Sequence, residues 1–200
     1  FRRVLFRSTG EGQVVDSAMV DGSLSLMSFF YSLKEMGHWE DSRESNLLDG
    51  FAHFYDTYEC SDNKYIAVGS IEPQFYSELL DKLEIDDKQF QDQHNKKIWP
   101  ELKEKMAAKI KLKSRSEWVE IFSDSDACVS PVLSMEEAKK HPHNLSRDAF
   151  INIDGFNQPN ASPRFSITNL EIKHNAKPIG SDQDDIYEEF NLRKEAFIKN

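Results

Sequence analysis

Glu72 stands where a carboxylate can do chemistry. It lies between the apolar run YIAVGSI, residues 65–71, and Pro73. Proline lacks an N–H and has a fixed φ, so it is accepted at the first helical position; Pro73 is expected to open a helix with Glu72 just outside it. A carboxylate there meets the positive end of a helix dipole at the mouth of a strand. Spacing alone leaves two readings open, a cap and a catalytic acid. The other chemical side chains give weaker patterns. His141 and His143 are separated by Pro142, with no cysteine or paired carboxylate near, and read as a solvated loop rather than half of a metal site. Asp124 and Asp126 lack the twelve-position pattern and central glycine of a calcium loop. Met19 and Met27 suit core filler on a helix. There is no Gly-rich phosphate loop, nucleophile elbow or Ser/His/Asp arrangement.

Composition narrows the setting. The 200 residues carry 25 Lys plus Arg against 35 Asp plus Glu, a net charge of −10. That balance argues against a grip on nucleic-acid phosphates, which needs a basic face. The two cysteines, Cys60 and Cys128, lie far apart with no Cys-x-x-Cys or zinc-type spacing, which points to a reducing, cytoplasmic home. The apolar runs are short and broken by charge, so no membrane span is expected. The opening FRRVLFRS, residues 1–8, has three arginines and no amphipathic period. It is expected to be foreign to the fold, like the translation of a sequencing adapter, ahead of a chain that lacks its N-terminal part.

The elements that must position Glu72 follow from periodicity. A short strand-like run leads to a helix after Asp16, its expected N-cap, with Val20, Leu24, Met27 and Tyr31 at helical spacing. This helix is apolar over more than one stripe and needs a covering partner. DSRESNLLDGFAH, residues 41–53, reads as a linker. FYDTYEC and KYIAVGS, joined by SDN, form a hairpin with Tyr55 and Thr57 on one side and Phe54, Asp56 and Tyr58 on the other. Three helices follow: one with Phe75, Leu79 and Leu83 on a face, one marked by Trp99, Leu102, Met106 and Ile110, and one opened by a Ser114/Glu117 capping box. CVSPVL reads as an edge strand because of Pro131. A Ser134/Glu137 capping box starts a short helix that Pro142 ends, and AFINIDGFNQP is a hairpin turned at Asp154-Gly155. The mixture indicates α+β organisation over about residues 51–165, followed by a polar tail with a charged helix-like end.

Four motifs in order, GQVVDSAMVDG, FYDTYECSDNKYIAVGSIEPQFY, SDACVSPVLSMEEAKKHPHN and SPRFS, closely resemble the α-methylacyl-CoA racemases of the family III CoA-transferase superfamily. The resemblance runs from Gly12 to about Ser166. It implies an incomplete family III fold: residues 9–50 as a strand and helix of a Rossmann-like α/β large domain plus a linker, 51–165 as the small α+β domain, and 166–200 as a segment returning to the large domain. It implies an interlocked homodimer, an acyl-CoA thioester substrate and no cofactor, coenzyme A being part of the substrate. The reaction inverts the α-carbon of a 2-methylacyl-CoA through an enolate, which needs one base and one acid on opposite faces. In the family these are a histidine and an aspartate of the N-terminal half, and neither has a counterpart here. The glutamate of the IEP motif matches Glu72, which joins the catalytic set as the carboxylate that assists that histidine across the subunit interface. Tyr55 matches a tyrosine lining the substrate site, and Met19, Leu48 and Ile71 match positions on the apolar surface that carries the acyl chain. Two alternatives stand beside this reading: a family III CoA-transferase with an upstream nucleophilic aspartate, and a fragment that pairs but turns nothing over.

Overall fold

Alternation of side chains along FYDTYEC and KYIAVGS requires a two-sided hairpin, and the hairpin forms. In the computed structural model, which describes residues 14–192, β1 (Tyr55–Glu59) pairs antiparallel with β2 (Tyr65–Gly69), Tyr55 opposite Gly69 and Thr57 opposite Ala67. The 1–8 leader, the start of the GQVV run and the end of the charged C-terminal run lie outside the described residues. The chain divides into two compact units, one reaching to Val132 and one from Leu133.

The first unit opens with α1 (Met19–Leu26) and α2 (Ser28–Glu35). The single helix capped by Asp16 is corrected on two counts. Ala18 occupies the N-cap without a side-chain hydrogen bond, Asp21 placing a carboxylate in the first turn instead, and Met27 separates two helices. Val20, Leu24, Met27 and Tyr31 are all exposed. Residues 41–53, read as a linker, contain no helix or strand and fold into turns whose polar groups satisfy one another. Asp49 accepts from the Ser45 N–H (3.0 Å), the Asn46 N–H (2.9 Å) and the Asn46 amide (2.8 Å). The same Asn46 amide pairs with both backbone groups of Glu40. That network lets Asn46 be buried. Gly50, at φ +89°, then turns the chain into the sheet.

After β2 come α3 (Pro73–Leu83), a 3₁₀ turn at Lys88–Gln91, α4 (Trp99–Ile110) and α5 (Arg115–Ile121). The spacing predicts Trp99, Leu102, Met106 and Ile110 as the inner face of α4, and all four are buried. On α3 the buried set is Tyr76, Leu79, Leu80 and Leu83, with Phe75 only half-buried. The Ser114/Glu117 capping box is present. The edge strand β3 (Val129–Pro131) completes a three-stranded antiparallel sheet, β1-β2-β3, with Pro131 opposite Ile66. Phe54, Tyr58, Ile66 and Val68 join the helices in one core. Both buried tryptophans satisfy their ring N–H, Trp99 at the Gln93 carbonyl and Trp118 at that of Ile110, each 2.7 Å.

The second unit contains α6 (Met135–Lys140), α7 (Pro142–Ser146), the hairpin β4 (Phe150–Ile153) and β5 (Phe156–Pro159), and α8 (Gln183–Glu189). Ser134 and Glu137 form the second capping box. Pro142 both ends one helix and starts the next, because its missing N–H is harmless at a first helical position. Asp154 (φ 51°) and Gly155 (φ 86°) turn the hairpin with two left-handed residues, as a two-residue loop demands.

The core of the first unit encloses one imidazole. His53 is fully buried among Phe54, Tyr76 and Phe90, with Nε2 2.7 Å from the Tyr76 hydroxyl and no partner for Nδ1. Burial, aided by the charge of His94, pushes its pKa down from 6.5 to about 4. A depressed histidine pKa means that the unfolded chain binds the extra proton. Its contribution to stability is therefore full above pH 6.5 and is lost as pH falls toward 4. Denaturant titrations across that window should show stability falling by up to about 1.4 kcal/mol per pH unit more in the parent chain than in His53→Gln. Parallel pH profiles would mean that His53 takes its proton while folded.

Candidate functional site

The register that builds the core also builds an opposite face. Ile66 and Val68 point inward, so Tyr55, Thr57, Ala67, Gly69 and Ser130, which pair Tyr55 with Gly69, Thr57 with Ala67 and Ala67 with Ser130, share the outer face. Small residues on β2 leave room above this face. The result is an open cavity of about 460 Å³, with Leu48 and Tyr55 supplying apolar wall and Thr57, Ser130 and Cys128 polar atoms. The Tyr55 ring lies over Gly69, with Cε2 3.8 Å from where a Cβ on that glycine would be. A branched side chain at position 69 would displace the ring.

The two carboxylates of the cavity wall are already engaged. Asp56 pairs with Lys103 on α4 at 2.5 Å, and the same ammonium donates to the Gly50 carbonyl. Asp49 is consumed by its turn. Burial works to raise its pKa, but the N–H donors of Ser45, Asn46 and Phe51 and the Asn46 amide outweigh it and hold the carboxyl below its ordinary value. Neither acid has the freedom of a mobile proton carrier.

Glu72 is different. The β2 strand ends at Gly69, whose N–H donates to the Cys128 carbonyl (3.0 Å), and the Ser70 N–H donates to the Phe54 carbonyl (3.0 Å). The Ser70 hydroxyl donates to the Ala127 carbonyl, and the Ile71 N–H closes a tight turn on the Gly69 carbonyl at 3.0 Å. The carbonyls of Ser70 and Ile71 both accept from the Gln93 amide, at 3.1 and 3.0 Å. Glu72 follows in extended conformation (φ −72°, ψ 142°), and Pro73 opens α3. The Glu72 carboxylate makes no capping hydrogen bond and is exposed. Its charge acts on Cys128, whose thiol is pushed up by burial and then by Glu72, Asp126 and Glu78.

Of the residues singled out in the sequence, Leu48 and Tyr55 line one cavity. Glu72 and Ile71 lie on the turn directly after Gly69, a lining residue, with Ile71 half-buried against the core. Met19 is exposed on α1 and is not among the lining residues. Sequence reasoning missed Ala67, Gly69, Ser130 and Cys128. The hairpin register carries the signal for the first two; the other two depend on β3 pairing with β2. Gln93 was missed as well. Among the described residues no group of His, Cys, Asp and Glu is placed to hold a metal ion, and no helix is long and apolar enough to cross a membrane.

Known proteins bring this geometry into context. The model of CoA-transferase family III matches residues 4–183. The chain is 39% identical to α-methylacyl-CoA racemase of Mus musculus over 200 aligned residues, covering 98% of this chain and 52% of the relative. It is also 39% identical to the Homo sapiens protein of that name, covering 94% of this chain and 50% of that one. A CAIB/BAIF family protein from Brucella suis superposes with a TM-score of 0.72 at 16% identity, over 94% of this chain and 50% of the other, and shares the fold. The chain thus spans about half the length of the curated relatives it matches.

The proximity of Glu72 to Cys128 is measurable. Glu72→Gln removes a negative charge that opposes thiolate formation, so alkylation of Cys128 by iodoacetamide near neutral pH should accelerate. Buried Cys60 serves as the unreactive internal control. An unchanged Cys128 rate would put the carboxylate out of reach of the thiol.

Proposed function

This chain belongs to CoA-transferase family III, and on that premise we propose that it is the C-terminal part of an α-methylacyl-CoA racemase. The observation that carries the reading is its 39% identity to racemases of that name along nearly the whole chain. The cavity that joins Leu48 and Tyr55, beside the turn bearing Glu72, supports it.

The proposed chemistry is a 1,1-proton transfer. A thioester acidifies the α-hydrogen because the carbanion delocalises onto oxygen; one group removes the proton and another returns it on the opposite face. Both primary groups come from upstream of this chain. Glu72 meets the histidine among them, holds its ring orientation and stabilises the imidazolium, the part a third group plays in a catalytic triad. Its uncommitted carboxylate suits that task in a way that engaged Asp49 and Asp56 do not. Tyr55 lines the substrate site, and Leu48, Ile71 and Met19 are assigned to the surface that carries the acyl chain, Ile71 and Met19 from outside the cavity that Leu48 and Tyr55 share. No cofactor enters, since the thioester itself provides the electron sink. In this reading residues 51–165 are the small domain, residues 9–50 and 166–200 belong with the large one, and two full-length copies interlock in the cytoplasm.

The test uses (2R)-2-methylacyl-CoA in deuterated water, with this chain alone and with the chain completed by the N-terminal half of its mouse relative. The completed protein should incorporate α-deuterium with epimerisation, and the chain alone should not. CoA transfer to a free acid without epimerisation would make it a transferase. Enzymatic epimerisation by the bare chain would refute the assignment of both bases to the upstream half. In the completed protein Glu72→Gln should lower turnover roughly 10- to 100-fold without lowering the melting temperature. Unchanged turnover would return Glu72 to a plain helix-end carboxylate.

A further inference from the structure

The turn that carries Glu72 is held by a side chain far away in sequence. Each N–H in this turn, from Gly69 to Ile71, finds a backbone acceptor, and Pro73 has none to satisfy. The carbonyls of Ser70 and Ile71 take a side-chain donor. A primary amide carries two N–H donors on one nitrogen, and Gln93 uses that nitrogen for both carbonyls, at 3.1 and 3.0 Å. Gln93 is itself buried at 7% exposure, and its own carbonyl accepts from the Trp99 ring at 2.7 Å, which ties it to the start of α4. The orientation of the Ile71–Glu72 peptide, and with it the direction in which the Glu72 side chain leaves the backbone, is thus referred through Gln93 to a tryptophan anchored in the core.

We propose that Gln93 is a positioning residue for the reaction: its amide, with one N–H for each of the two carbonyls, aims the Glu72 carboxylate at its catalytic partner. This rests on the role of Glu72 proposed above. Glutamine is the side chain that fits. Glutamate at the same length turns oxygen lone pairs toward two carbonyl oxygens, and methionine fills the volume without a donor.

The experiment is a double-mutant cycle on the completed protein, read as kcat and KM for α-deuterium exchange. Gln93→Met should lower kcat about 10-fold or more, since small misplacements of a catalytic constellation are costly, with KM within about twofold. In the Glu72→Gln background the same substitution should change kcat by less than about twofold, because a residue acting through Glu72 has nothing left to aim. Gln93→Glu adds a readout that a purely structural part would not show: kcat per folded molecule should fall as pH rises through the titration of the new carboxyl, a limb absent from the parent. It also takes over the cycle should Gln93→Met fail to fold. An unchanged kcat in the Gln93 variants, or a Gln93 effect that multiplies in full onto Glu72→Gln, overturns the positioning role while leaving that of Glu72 intact. A Glu72→Gln protein with parental kcat removes the underlying reading, and the positioning role with it.

Discussion

A backbone that leaves a sheet inside a protein core must find partners for its polar groups, and in this chain that constraint falls on residues 69–71. Each unpaired N–H or C=O there would carry the cost of desolvation, about 1–3 kcal/mol per group. The turn meets it with a closed set of bonds to Phe54, Cys128 and Ala127 and to the Gln93 amide. Much else hangs on this. The bonds join β1, β2, the segment before β3 and the approach to α4, so the direction of α3 and the address of Glu72 are set together. A helix start on a loose loop would tolerate several exit directions for the chain; here the backbone polar groups from Gly69 to Ile71 are all bonded.

The sheet divides labour between its faces. Tyr58, Ile66 and Val68 contribute to the core, while Tyr55, Ala67 and Gly69 keep the other face open. The acids that line the cavity are paired with Lys103 or absorbed by the Ser45–Asn46 turn. The carboxylate left without a capping bond stands at the strand end. A partly aromatic cavity thus stands beside a carboxylate that no capping bond engages. Membership of CoA-transferase family III agrees with that economy.

The parts of this arrangement that depend on neighbours in sequence were legible from the residues alone. The β1–β2 hairpin, the inner face of α4, both capping boxes and the Asp154-Gly155 turn each follow from local period or turn chemistry, and Pro73 does open a helix after Glu72. What escaped depends on distant partners. Residues 41–53 look like a linker because they are polar, and they are ordered because Asn46 and Asp49 pair with one another and with Glu40. The contribution of Ser130 on β3, and of Cys128 just before it, needs a non-local pairing. Gln93 sits in a polar stretch with no periodicity, and nothing local says that its amide reaches carbonyls 22 and 23 residues back. For α1 and α2 the periodicity was readable, while the break at Met27 and the exposure of the apolar stripe were not.

With its backbone groups from Gly69 to Ile71 bonded, the turn before Glu72 should be as rigid as the core it leaves. Native-state amide hydrogen exchange at Gly69, Ser70 and Ile71 tests it directly. These amides should exchange only with the global opening that releases Leu102 and Met106 of α4, at matching free energies and with the same denaturant dependence. Exchange at rates near those of exposed loop residues, independent of that opening, would contradict a fixed turn and with it a fixed Glu72.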